Sequence, residues 1–69
     1  MALFKDLKVG DKIAQFGGSA DVVSIADFLV DGVSCETTKR FTLLEERAGM
    51  EPKIKERLVH LTTEATILV

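Results

Sequence analysis

The sequence has little of what builds disulfides, metal sites or membrane spans. It holds one cysteine, Cys35, and one histidine, His60, among 69 residues. A lone thiol cannot close an internal disulfide, and these two side chains fall short of the four ligands of a structural zinc site. No apolar run approaches the ~20 residues of a spanning helix, and residues 1–8 lack the apolar core of a signal peptide. We therefore expect a soluble, cytoplasmic protein with no metal, no cofactor and no membrane partner.

The sequence also lacks an excess of positive charge. Nine Lys and Arg stand against eleven Asp and Glu, which gives a net charge of −2. A duplex-binding domain usually carries a basic stripe that displaces phosphate counterions. Generic nucleic-acid binding is therefore disfavoured.

The chain is long enough for one domain, residues 1–69, with a small core. A chain of this length buries only about 60% of the surface that its unfolded form exposes. Below ~70–80 residues, apolar burial and the loss of chain entropy nearly cancel. We therefore expect self-association or a protein partner to add stability.

What the sequence does contain is strand composition between turn signals. Residues 12–16, 22–30, 33–43 and 57–69 are rich in Val, Ile, Thr and Phe, and glycine-containing turns separate them. Asp31-Gly32 suits the two positive φ angles of a type I′ turn, which predicts a tight hairpin there. The alternation before that turn slips near Ala26-Asp27 and predicts a β-bulge.

Alternation after the Asp31-Gly32 turn predicts which side chains face inward. Cys35 and Phe41 fall on the same parity, so we expect Cys35 to be a small buried residue. His60 has the parity opposite to Val59 and Leu61, which places it at the surface.

Residues 42–61 allow two interpretations. Ile54, Leu58 and Leu61 recur at helical spacing and Pro52 suits a first helical turn, which would make residues 39–57 a helical insertion. The β-branched residues that follow and the strand-like alternation at 57–61 favour a long hairpin bent around residues 48–52. We prefer the hairpin.

The first half of the chain resembles the YodC-like family of small uncharacterised bacterial proteins. The resemblance lies in LKVGDKI at 7–13, GGS at 17–19, VVSI at 22–25 and DGVSCE at 31–36, with a weaker echo at 60–69. It implies a small SH3-like five-stranded barrel with no known activity. The chain departs from the family at Thr37, where a tryptophan is usual, and at residues 39–57, which resemble an insertion.

Catalysis is not indicated. Cys35 and His60 could form a nucleophilic pair only if the fold joined them, and no third, orienting group is evident. Glu45, Glu46 and Glu51 fall near the tip of the predicted hairpin, where water screens them. The Gly17-Gly18-Ser19 turn lacks the lysine and the following helix of a phosphate loop. We expect no enzyme and infer no small-molecule substrate.

Binding residues can be nominated in three places. Lys39, Arg40 and Phe41 could form a basic and aromatic strip for single-stranded nucleic acid, with Lys53, Lys55 and Arg57 opposite. Arg47 and Met50 at the hairpin tip suit a protein contact. Leu68, in the apolar end Ile67-Leu68-Val69, should be covered by another chain because strand side chains alternate.

These observations predict a non-enzymatic binding module that contacts a protein through the 39–57 arm or an exposed sheet edge. The alternatives are a nucleic-acid-binding small barrel and a structural subunit of a homo-oligomer. A phage or mobile-element accessory factor would be typical of so compact a protein.

Overall fold

The computed structural model describes residues 2–15 and 17–68, and their regular structure is almost entirely strand. The strands are β1 (Ala2–Leu3), β2 (Lys12–Gln15), β3 (Gly18–Val30), β4 (Val33–Arg47), β5 (Lys53–His60), β6 (Glu64–Ala65) and β7 (Ile67–Leu68). A 3-10 turn, Phe4–Asp6, follows β1. The predicted all-β class is confirmed. No helix in this part of the chain has the length and hydropathy of a membrane span.

The segment with two sequence interpretations is a hairpin. β4 runs to Arg47 and β5 returns beside it from Lys53, with antiparallel partners from Glu45↔Lys53 to Thr38↔His60. A turn hydrogen bond from Met50 N–H to the Arg47 carbonyl (3.1 Å) reverses the chain. The helical insertion is therefore wrong, and the preferred long hairpin is confirmed.

The main sheet is open. Five antiparallel strands are ordered β5-β4-β3-β2-β7, and β1 pairs separately with β6. The edge strands β5 and β7 do not pair with each other in the described chain, so the SH3-like closed barrel expected from the family resemblance does not form. The β1–β6 ribbon instead contributes Ala65 to the core. The turn after β1 packs Phe4 against it, and the rings of Phe4 and Phe41 lie edge to face with their centroids 5.2 Å apart.

The tight turn predicted at Asp31-Gly32 is confirmed. Asp31 has φ 51° and Gly32 has φ 79°, the two positive angles that a type I′ turn requires. Val30 and Val33 flank the turn as partners in the β3–β4 ladder.

The β3–β4 ladder is bent rather than straight. One register shift lies between Val22 and Ser24 and another between Asp27 and Leu29, so the bulge predicted at Ala26-Asp27 falls directly before the second shift. A β-bulge places two residues of one strand opposite one residue of its partner and bends the strand, so these two shifts are where the long ladder curves.

The second register shift corrects the position predicted for Cys35. β4 residues 35–38 have no partners in the β3 register, so strict alternation does not continue from Val33 through this stretch. Cys35 is half-buried, and its Sγ lies 3.4 Å from Oγ1 of Thr37. It is not part of the core.

The buried core is small and apolar. It consists of Leu7, Ile13, Ala20, Val22, Phe41, Leu43 and Ala65. Among the described residues, the one buried charged side chain is Glu45, which continues the inward row of β4 beyond Phe41 and Leu43. The core thus ends at a carboxylate, and the candidate site begins there.

Gly18 allows β3 and β4 to approach closely beside this carboxylate. A Cβ at Gly18 would overlap the carbonyl oxygen of Glu46 and lie 3.0 Å from the Cα of Arg47. Only glycine fits here, because the atoms in the way belong to the backbone.

Candidate binding groove

Alternation along β5 places three cations on one face of the sheet. Lys53, Lys55 and Arg57 are two residues apart, and side chains two apart on a strand share a face. In the β4–β5 register they stand opposite Glu45, Leu43 and Phe41, respectively. The inward face of β4 is buried and, apart from Glu45, apolar, whereas the same face of β5 is basic and exposed.

These side chains line an open groove of about 290 Å³ between the two strands and their connecting turn. Its cations are Arg47, Lys53, Lys55 and Arg57, and its carboxylates are Glu45 and Glu51. Met50 provides the apolar part of the lining, and no aromatic ring of residues 2–15 and 17–68 contributes. The groove therefore carries a net charge of +2 in a chain whose net charge is −2.

Glu45 anchors one end of the groove. Its side chain is only 6% exposed and accepts hydrogen bonds from Arg57 Nε at 2.8 Å and Arg57 Nη2 at 3.3 Å. This bidentate bond holds the pKa of the Glu45 carboxyl below its ordinary value and raises the pKa of Arg57. Arg47 lies 3.9 Å away and adds a weaker attraction.

Gln15 completes the contacts of Glu45. Its Nε2 donates to Glu45 Oε2 at 3.3 Å, and its Oε1 is buried with no partner among the described atoms. Reversing the amide would place Gln15 Oε1 against Glu45 Oε2, and both of these oxygens are acceptors. The hydrogen bond to Glu45 therefore fixes the orientation of the Gln15 amide. Glu45 thus holds Arg57 in place and takes up its charge.

Two cations of the groove are not paired with a carboxylate among the described side chains. Lys53 and Lys55 have no carboxylate oxygen within 4.0 Å among the side chains that the structure describes, and both residues are exposed.

The backbone beside the groove is also available. The Leu61 N–H donates to the Thr37 carbonyl at 2.8 Å, in the same register as β4 and β5. Because hydrogen-bonded and non-hydrogen-bonded pairs alternate along antiparallel strands, Lys53, Lys55 and Arg57 bond to β4. Ile54, Glu56 and Leu58 therefore turn their N–H and C=O groups away from β4, along an edge with no partner strand in the described chain.

The structure separates the predicted basic and aromatic strip. Phe41 is 1% exposed and lies in the core, so its ring is not available to stack on a base. Arg40 is on the opposite face and stands across from Leu58, and Lys39 lies 3.9 Å from Asp27 and lines a different, smaller cavity with Phe41. Adjacent positions on a strand point to opposite faces, which is why this trio does not form one surface.

The other nominated residues fall into two places. Arg47 and Met50 both line the groove, and Met50 is 55% exposed. Leu68 is 40% exposed on β7, at the opposite end of the strand order from β5. Val69, nominated with it as part of the apolar end, lies outside the described residues.

Among the described residues, the polar side-chain atoms of Cys35 and His60 hydrogen-bond to sequence neighbours and not to each other. Cys35 meets Thr37, whose hydroxyl lowers the pKa of the thiol, and Nδ1 of His60 lies 2.7 Å from Oγ1 of Thr62. No group of three or more His, Cys, Asp or Glu side chains that could hold a metal is found in residues 2–15 and 17–68.

Sequence reasoning underrated Lys53, Lys55 and Arg57 as a binding surface. The signal was present, since a cation at every second position of a strand predicts a basic face. The sequence did not show that Glu45 would pair with Arg57 and Arg47 and leave Lys53 and Lys55 without a carboxylate among the described side chains. The structure also shows an apolar tip on the β3–β4 hairpin, where Leu29, Val30 and Val33 are all exposed.

Comparisons with known protein families, curated proteins and solved structures find no match for this chain. The resemblance to the YodC-like family therefore stays a prediction, and the groove and the sheet edge must support any functional inference by themselves.

Proposed function

We propose that this chain is a non-enzymatic binding module that receives an extended segment of a partner protein along the outer edge of β5. The observation that supports this is the free edge itself. β5 is eight residues long, has β4 as its one partner strand within residues 2–15 and 17–68, and directs the backbone groups of Ile54, Glu56 and Leu58 outward. Strand addition to such an edge uses main-chain hydrogen bonds and needs no special side chains.

The groove adds a surface that can select among such segments. Side chains of an added strand would stand beside those of β5 on both faces of the sheet, with the basic groove on one face. Backbone pairing supplies affinity, and the groove supplies specificity.

Single-stranded nucleic acid is the weaker alternative. Proteins that bind it combine a basic channel with aromatic rings on which bases stack. Here Phe41 is buried, and among the residues that the structure describes no aromatic ring lines the groove.

Assembly into a homo-oligomer has one observation in its favour. Ile67 and Leu68 on β7 are each 40% exposed, as the prediction of a covered apolar end requires. Contact through β7 would leave the β5 edge free, so this assembly is compatible with the proposed function. A role as a phage or mobile-element accessory factor stays a prediction.

Substitution of Glu56 tests the proposal. Glu56→Pro removes an outward N–H while sparing the hydrogen bonds between β5 and β4, and proline is tolerated at edge strands with the N–H side free. Glu56→Ala removes the same side chain but keeps the N–H, which makes it the matched control.

The probe is a capped, eight-residue peptide of alternating threonine and valine. On binding to ¹⁵N-labelled protein, we expect slowed hydrogen exchange at the amides of Ile54, Glu56 and Leu58. Glu56→Pro should abolish the protection of the Ile54 and Leu58 amides, and Glu56→Ala should retain it. Protection that appears elsewhere, or that survives in Glu56→Pro, would show that the edge of β5 is not the binding site.

A further inference from the structure

We infer that the segment received by β5 is acidic, with carboxylates at every second position and apolar side chains between them. This inference rests on the proposed function and adds the chemistry of the partner. The carboxylates would meet Lys53 and Lys55 on the groove face, and the apolar side chains would cover Ile54 and Leu58 on the other face.

The charge of the groove supports the acidic half of the pattern. Arg57 is already bonded to Glu45, whereas Lys53 and Lys55 have no carboxylate partner among the described side chains. Side chains directly opposite on neighbouring strands have Cβ atoms about 4.5–5.5 Å apart, within reach of a lysine and a carboxylate. Two lysines spaced two residues apart therefore match two carboxylates with the same spacing.

The reverse face of β5 supports the apolar half. Ile54 is 65% exposed and Leu58 is 53% exposed, although both are large apolar residues on a regular strand. Because successive side chains alternate between faces, a strand whose carboxylates enter the groove presents its other residues on the face of Ile54 and Leu58. Ile54 and Leu58 lie on either side of Glu56 on this face, and apolar residues opposite the two would remove both from water.

A second copy of the chain fits this edge poorly. Antiparallel pairing of two β5 strands about Glu56 would set Lys55 of each copy opposite Arg57 of the other, and directly opposed like charges are destabilising. Charged side chains on an edge strand commonly prevent such pairing of identical strands. The cations that discourage a second copy favour an acidic partner.

The test compares four capped, fluorescein-labelled peptides of eight residues by fluorescence anisotropy. The first alternates glutamate and valine. The second has the same composition with its glutamates grouped before its valines, the third alternates lysine and valine, and the fourth is the neutral threonine-valine peptide. A labelled oligothymidylate of similar length serves as the nucleic-acid probe.

We expect the glutamate-valine peptide to bind about tenfold more tightly than the neutral peptide, with the advantage declining as salt is added. The grouped peptide should lose most of that advantage, because its carboxylates cannot all lie on one face. The lysine-valine peptide should bind least.

Charge reversal identifies the residues responsible. Lys55→Glu should reverse the preference between the glutamate and lysine peptides, and Lys53→Gln with Lys55→Gln should abolish it with less risk to the fold. Lys8 is an exposed lysine outside the groove. Lys8→Glu makes the same change in net charge as Lys55→Glu and should leave the preference between the peptides intact. Circular dichroism checks that each variant remains folded.

The outcomes separate the inference from the proposed function. Equal binding of the glutamate and neutral peptides, with both lost in Glu56→Pro, would overturn the acidic pattern and leave strand addition standing. Failure of every peptide to protect the β5 amides would overturn both. Tighter binding of oligothymidylate than of any peptide, lost in Lys55→Glu, would reject the acidic strand in favour of nucleic acid.

Discussion

Replacing Arg57 with methionine should destabilise the protein more than removing an ordinary surface cation. Arg57→Met keeps the apolar stem but removes both hydrogen bonds to Glu45, at 2.8 and 3.3 Å. The carboxylate, 6% exposed, is then left with Gln15 at 3.3 Å and Arg47 at 3.9 Å. Loss of one partner of a buried polar group costs about 1–3 kcal/mol.

Two features keep the expected loss of stability in Arg57→Met below the ~3–5 kcal/mol that results when a buried charge is left without any partner. Gln15 and Arg47 still compensate part of the carboxylate, and the Arg57 side chain is 48% exposed in the folded protein. We expect about 2 kcal/mol, measured as the change in free energy of unfolding by urea at neutral pH.

A double-mutant cycle identifies the cause. Glu45→Leu combined with Arg57→Met removes the stranded charge and should be within about 1 kcal/mol of the parent, because apolar replacements of buried ion pairs are often neutral. If the double variant loses the sum of the two single losses, the residues are not coupled and the argument is wrong.

The same pair makes stability depend on pH. Because the hydrogen bonds from Arg57 lower the folded-state pKa of Glu45 below its ordinary value of 4.5, the unfolded chain takes up this proton first on acidification. The stabilisation is present above pH 4.5 and is lost as the pH falls through the lowered folded-state pKa. The difference in unfolding free energy between the parent and Arg57→Met should therefore shrink at acid pH, and a constant difference would refute the linkage.

Three further predictions concern the fold. Phe41→Ala, at the 1% exposed centre of the core, should cost about 3–5 kcal/mol and leave much of the protein unfolded in a thermal melt, since small domains have only ~0.05–0.15 kcal/mol of stability per residue. Gly18→Ala should lower the melting temperature because its Cβ would strike the Glu46 carbonyl, whereas Gly17→Ala, which meets no atom within 4 Å, should show only the strain of its positive φ. Cys35 should react with a thiol reagent in the folded protein without denaturant, since it is half-buried and Thr37 lowers its pKa; reaction only after unfolding would contradict this.

Local patterns predicted the parts of the fold that depend on local chemistry. Asp31-Gly32 specified its turn, and alternation with β-branched residues specified the strands and favoured the hairpin over a helix. Closure of the sheet could not be predicted in this way, because it depends on whether β5 meets β7, which no short stretch of sequence controls. The prediction that Cys35 is buried was wrong for a related reason. The register shift after Asp27 interrupts the alternation of side chains from which that burial was inferred.

The candidate site was predictable only in part. Arg47 and Met50 were placed correctly at the hairpin tip, and both line the groove. The trio of Lys39, Arg40 and Phe41 was chosen for its adjacency in sequence, although alternation on a strand divides such neighbours between two faces. The free charge at Lys53 and Lys55 depends on which cation Glu45 binds, and that is a property of the folded side chains.

The β3–β4 hairpin extends beyond the rest of the sheet, and this makes its tip a natural place for insertion. The tip pairs Leu29 with Ser34 and Val30 with Val33, while the pairing of β5 with β4 stops short of it. None of its residues belongs to the buried core. A tip supported by two strands alone can be lengthened or shortened four residues at a time, two on each strand, which keeps the register of the core and the hydrogen-bonding pattern of the pair that closes the turn. The chain could therefore carry a grafted epitope or a fluorescent label there, far along the strands from the groove that its other hairpin forms.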